Sequence, residues 1–198
     1  MLHEVFHFFT HLDKGFLFTL KQLIRYPGKM QREYINGLRA KHQKPFSMFF
    51  ICATVAGLSL YTVNLLLIKY FGAGNDKEAQ FFNHYWVVLQ IALLPFYTLV
   101  TYLFFRQPNL NYAEVGVLQL YRFAIVFLLI SIISLIRFIL PDFQTKFLEF
   151  PIILIYSIIT NLSFFHTSNR GIVIVKSIVI MIIAFGIASL VQAWLVGT

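Results

Sequence analysis

The sequence predicts an all-α fold: a polytopic transmembrane helix bundle of about five spans, preceded by an amphipathic helical segment. Three observations predict it. Hydrophobic residues make up 59% of the 198-residue chain and charged residues 12%, against about 45–50% and about 25% in an average soluble domain. A soluble domain of this size has no polar shell large enough to cover that much apolar surface, and the mean hydropathy is +0.74. Apolar runs recur near the ~20 residues that a helix rising ~1.5 Å per residue needs to cross ~30 Å of hydrocarbon. Basic residues gather at one end, with eight of the sixteen Lys and Arg in residues 1–45. The same composition excludes disorder. The single cysteine, Cys52, excludes a disulfide scaffold within the chain. The expected division is residues 1–45 as basic cytoplasmic or interfacial helices and residues 46–198 as the bundle.

The chain opens on His3-Glu4-Val5-Phe6-His7, a match to H-E-x-x-H, with His11 four residues on. On a helix two such histidines share a face and bind zinc, with the glutamate as base. The match begins two residues from the chain start, where helices fray. The glycine and third histidine of the extended pattern are absent at the needed spacing. His3, His7 and His11 are therefore read as headgroup-level side chains that bind metal adventitiously. No catalytic residue, metal or cofactor is expected.

From Leu12 to Tyr26 the residues Leu12, Phe16, Leu17, Leu20, Leu23 and Ile24 fall on one stripe, which predicts an amphipathic helix ended by Pro27-Gly28. A second helix is expected over about 29–41, with Met30, Tyr34 and Leu38 on one face. The basic residues Lys14, Lys21, Arg25, Lys29, Arg32, Arg39, Lys41 and Lys44 give residues 1–45 a net charge of +5. The favoured partner is the anionic cytoplasmic leaflet, where each such residue contributes ~1 kcal/mol. An acidic protein or RNA is the sharper alternative. RNA is the weaker of the two, because the aromatics lie in the apolar stripe instead of alternating with arginine.

The spans follow in order. The first, 46–70, is opened by Pro45 at a first-turn position. The second, 85–105, contains Pro95, which predicts a freed carbonyl and a kink. The third, 115–140, is stopped by Pro141-Asp142. The fourth, 150–165, is opened by Pro151 and is short; the fifth is 172–196. With five spans, twelve of the sixteen Lys and Arg fall on the side of the N-terminus, which predicts that this side is cytoplasmic. No cleavable signal peptide is expected.

Within these limits the spans hold no Asp or Glu. That disfavours proton relays and acidic selectivity rings. Arg122 and Arg137 are expected near the two ends of the third span, snorkelling to the interfaces. Asn64, Gln90, Arg122, Asn161 and Gln192 are candidates for a polar lining or for contacts between helices or subunits, homo-oligomers included. Cys52 reads as a small packing residue.

Two stretches carry a resemblance. The run from His11 through Lys14-Gly15-Phe16, Arg25-Tyr26-Pro27-Gly28-Lys29, Arg32-Glu33-Tyr34 and Lys44-Pro45-Phe46 resembles the N-terminal block of a Bacteroidota family of membrane proteins of unknown function. Asn111-Tyr112-Ala113-Glu114 and residues 164–176 resemble its later spans, which are similar to Yip1-type five-span proteins. The zinc ribbon carried by many members is absent from this sequence. In size and basic character the chain also resembles the small membrane accessory proteins of type VI-B CRISPR loci, and no motif carries that second likeness. The first resemblance implies a fold and no activity; the second implies a non-enzymatic inner-membrane accessory, regulatory or pore-forming, in RNA-guided phage defence, with a cytoplasmic nuclease as partner. The alternative is a Yip1-like scaffold that organises lipids or membrane proteins without conductance. The third reading is a metal-dependent enzyme using His3, Glu4, His7 and His11.

Overall fold

Continuous apolar runs of this length satisfy their backbone polar groups in lipid by forming helices. A computed structural model describes residues 15–73, 75–108, 110–141, 143–165 and 169–196, apart from the side chains of Gln192, Leu195 and Val196. The described elements are α1 (Gly15–Arg25), α2 (Lys29–Ile35), α3 (Pro45–Phe71), α4 (Asp76–His84), α5 (Trp86–Phe104), α6 (Tyr112–Ser134), α7 (Lys146–Phe164) and α8 (Arg170–Val196). A 3-10 turn, Leu135–Phe138, extends α6. There is no strand among the described residues. Helices α3, α5, extended α6, α7 and α8 are long and apolar enough to cross a membrane. The protein is a multi-pass helix bundle.

Local chemistry sets several boundaries. Pro45 occupies the first turn of α3, and Gly72 ends that helix in the left-handed conformation (φ 61°). Asn75 caps α4 by accepting from the Lys77 amide at 2.9 Å. Asn111 and Glu114 form a reciprocal capping box at the start of α6. Helix α5 runs unbroken through Pro95.

Four expectations change. Helix α7 starts at Lys146, so Pro151 lies inside the helix instead of opening it, and the fourth span is 19 residues long. Glu149 and Glu114 therefore lie within span helices, and the acid-free description fails at the ends of α7 and α6. The second amphipathic helix stops at Ile35, because the chain turns at Asn36 and Gly37 (φ 106°), leaving Leu38 64% exposed. The apolar stripe of α1 is split. Phe16, Thr19 and Leu23 are buried, whereas Leu17 and Ile24 are 73% and 64% exposed beside exposed Lys21 and Arg25.

Helix α6 is the centre of the bundle. Its most extensive contact is with α3, and it also meets α1, α2, α5 and α7. The main core joins Phe16, Leu23 and Met30 of α1 and α2 to Phe49 and Cys52 of α3 and to Tyr121 and Phe127 of α6. Residues 15–44 thus share one core with the spans. Helix α8 buries Val173, Ser177 and Ile180, while Ile172, Val175, Val179 and Ile182 form the opposite, exposed face, as expected for a helix with one side in lipid. The bundle has two unlike ends. Helices α1 and α2 cover one, against the last turns of α7. Helix α4, the 3-10 turn and the start of α7 form the far end.

Candidate functional site

The basic platform at the first end is held by backbone contacts that its sequence makes specific. Gly28, between α1 and α2, has φ 80° and lies against α7 so closely that a Cβ there would stand 2.4 Å from the Thr160 carbonyl oxygen. Only glycine fits such a turn. Its amide donates to the Gln31 side chain at 2.6 Å. The loop after α2 is tied twice through Gln43: its amide donates to Thr19 Oγ1 at 2.8 Å, and its carbonyl accepts from the Tyr121 hydroxyl. Tyr156 of α7 donates to the Leu23 carbonyl at 3.4 Å.

On this frame Lys21, Arg25, Lys29, Arg39, Lys41 and Lys44 are exposed. Arg25 and Lys29 flank the Tyr26 ring at 5.4 and 5.6 Å, and Lys29 lies 3.8 Å from Glu33. Arg32 differs from the others: it is half-buried over the Phe164 ring at 5.6 Å, and burial lowers its pKa. It anchors the platform and is not part of the solvent-facing basic surface. Lys14, His3, Glu4, His7 and His11 lie outside the described residues. Among the described residues no three His, Cys, Asp or Glu side chains gather as a metal-binding group.

His42 sits between the rings of Phe18 and Tyr34, 5.3 and 6.4 Å away, and its Nδ1 is buried without a partner. Burial pushes its pKa below the usual 6.5, while Glu33 pulls it back up. The docked platform thus favours neutral His42, and the released segment binds the proton more readily. Its stabilisation is complete above the free-histidine pKa of about 6.5 and is lost as the pH falls through that value toward the docked one. Protection factors in α1 and α2, corrected for intrinsic exchange, should therefore fall between pH 7.5 and pH 5.5, and His42→Leu should remove that fall.

The predicted polar lining is not one file of side chains. Asn64 accepts from Arg137 at 3.2 Å and donates to the Leu60 carbonyl. Asn161 donates to Ser177 at 2.9 Å across the α7–α8 contact. The side chain of Gln192 lies outside the described set. Gln119, which sequence reasoning missed, is fully buried and donates to Thr101 of α5. Its position between apolar neighbours in sequence gave no signal of that partner.

Gln90 and Arg122 do come together, lining one cavity. Arg122 is ten residues into α6, ~15 Å from its start at ~1.5 Å per residue, and is only 6% exposed. It does not snorkel, contrary to the sequence-based expectation, because α5, α7 and α8 surround it. The cavity, about 140 Å³, is lined also by Tyr97, Ser157, Ser177 and Trp86. At the far end it adjoins a polar vestibule of about 520 Å³ lined by Asn64, Glu78, Ser134 and Arg137. Trp86, Ile130, Lys146 and Glu149 line both. Trp86 is fixed there by edge contacts with Phe81 and Phe127 and a tilted contact with Phe82, and its Nε1 is buried without a partner.

The Phe123 ring lies 5.6 Å from the guanidinium carbon of Arg122. Taking an ion out of water costs several kcal/mol, and a desolvated cation–π contact returns about 2 kcal/mol. The cavity therefore holds a buried cation whose desolvation is not matched by its protein neighbours.

A family model described as a protein of unknown function (DUF3667) matches residues 13–57. That stretch includes α1, α2 and the first half of α3, so the likeness falls on the platform and its attachment. No curated protein and no solved structure matches the chain.

Proposed function

We propose that this chain is a non-enzymatic accessory protein of the bacterial inner membrane. Its platform is a cytoplasmic contact surface for the anionic leaflet and for a protein partner. The observation that carries this reading is the set of six exposed basic residues, three on α1 and α2 and three on the loop after them, on a segment fixed to the spans. The flanking Leu17 and Ile24 are exposed beside Lys21 and Arg25, the combination that seats an in-plane helix at a lipid boundary. The distribution of Lys and Arg supports a cytoplasmic platform. In the setting that the type VI-B resemblance implies, the protein partner is a nuclease. The Yip1-like scaffold reading uses the same surface with lipid alone.

The test is amine labelling of the full chain in vesicles. Lys21, Lys29, Lys41 and Lys44 should label more slowly in phosphatidylglycerol vesicles than in phosphatidylcholine vesicles, and salt should shrink the difference. Equal rates would remove the lipid-contact reading. Charge reversal at Lys29, Arg39, Lys41 and Lys44 should abolish recruitment, whereas Arg32 is left intact because it packs on Phe164. Pore formation is tested separately by dye release, and vesicles that stay tight at high protein loading would sink it.

A further inference from the structure

We propose that the Arg122 cavity binds a small organic carboxylate, a single negative charge on an apolar body about the size of benzene. The argument begins with the polar groups that face the cavity. Arg122 and Gln90 are 6% and 8% exposed and Ser157 is 4% exposed, and all three line it. None of them has a hydrogen-bond partner among the described residues, although buried polar groups ordinarily find one. Each presents N–H or O–H donors, and Arg122 supplies a planar fork that matches a carboxylate.

The charge balance selects an anion. Lys146 and Glu149 share the rim between the two cavities and offset one another, leaving Arg122 as the net charge inside. Size and lining select the rest. Phe123, Val126, Ile153, Ile180 and Phe185 form apolar walls, and about 140 Å³ is close to the ~150 Å³ cavity known to hold benzene. The polar vestibule supplies a route from the far end, so the ligand arrives from water and is not drawn laterally from the bilayer.

The experiment uses the full chain carrying Trp194→Phe in phosphatidylcholine nanodiscs. The chain has two tryptophans, so this leaves Trp86, in the cavity wall, as the fluorescent reporter. Benzoate and hexanoate at neutral pH should give a saturable change. Arg122→Gln should weaken it at least tenfold, Arg122→Lys should fall between, and Arg106→Gln should leave it unchanged. No saturable response, or an equal response in Arg122→Gln, overturns the proposal. A chloride or phosphate response that matches the carboxylates overturns the apolar recognition. A palmitate response with benzoate and hexanoate silent overturns the water-borne source in favour of a lipid. If Arg122→Gln does not fold, Gln90→Leu and Ser157→Ala carry the test, each expected to weaken binding several-fold.

Discussion

Gly28→Ala is expected to destabilise the protein by about 3 kcal/mol and to release the platform from the bundle. Two independent costs add. A left-handed backbone costs a non-glycine residue about 1–2 kcal/mol, and forcing a methyl group into a filled contact costs about 1–3 kcal/mol more. The obstacle is rigid, because the Cβ would meet the Thr160 carbonyl oxygen and the Phe164 amide nitrogen, both backbone atoms of α7. Hydrogen exchange should show α1 and α2 losing protection while α3 and α6 keep theirs. Gly37→Ala is the control. Gly37 also has positive φ, 106°, but nothing lies within 4 Å of an added Cβ, so it should cost only the backbone share. Equal losses in the two variants would mean that contact with α7 contributes nothing.

Tyr121→Ala is expected to cost about 3–5 kcal/mol, the usual range for emptying a large buried ring position. Tyr121 is fully buried in the main core and meets the Tyr34 ring edge-on at 5.4 Å. Tyr121→Phe isolates the hydroxyl. It removes the donor to the Gln43 carbonyl and should cost about 1–3 kcal/mol, the penalty for an orphaned buried acceptor. Thr19→Val does the same to the Gln43 amide. The double variant should cost less than the sum, because both bonds hold one loop and releasing it once lets water reach both groups. Thermal unfolding of the five proteins in one detergent measures all these differences. Strict additivity would mean that the two ties act on separate elements.

The number and approximate limits of the spans were legible in the sequence because they depend on local composition and length. The runs 46–70 and 172–196 differ from α3 and α8 by at most two residues at either end. What composition does not encode is which face meets which neighbour. Leu17 and Ile24 belong to the same stripe as Phe16 and Leu23, but only the latter pair meets α3 and α6. Pro151 suggested a helix start, yet the turn before it satisfies its own amides at Gln144 and Thr145, and Glu149 enters the helix as a result. Arg122 looked peripheral by residue count from Val115. Its burial follows from the central place of α6, which no single segment reveals. The basic residues of the candidate surface were legible one by one. The exception, Arg32, needed the Phe164 ring of a helix over a hundred residues away.

The tie between Leu23 and Tyr156 spans 133 residues. At a synthesis rate of about 5–20 residues per second, roughly 7 to 27 seconds separate the emergence of α1 from that of its seat on α7. Until α3 and then α6 follow, Phe16 and Leu23 have no complete core to enter, and the young helix carries an uncovered apolar face beside its basic one. A membrane surface is the nearest phase that accepts both. On the proposed placement at the leaflet, the segment that ends as a fixed platform would begin as an amphipathic anchor for the nascent chain while the later spans are made. Its lysines and arginines would then meet lipid first and the rest of the fold afterwards.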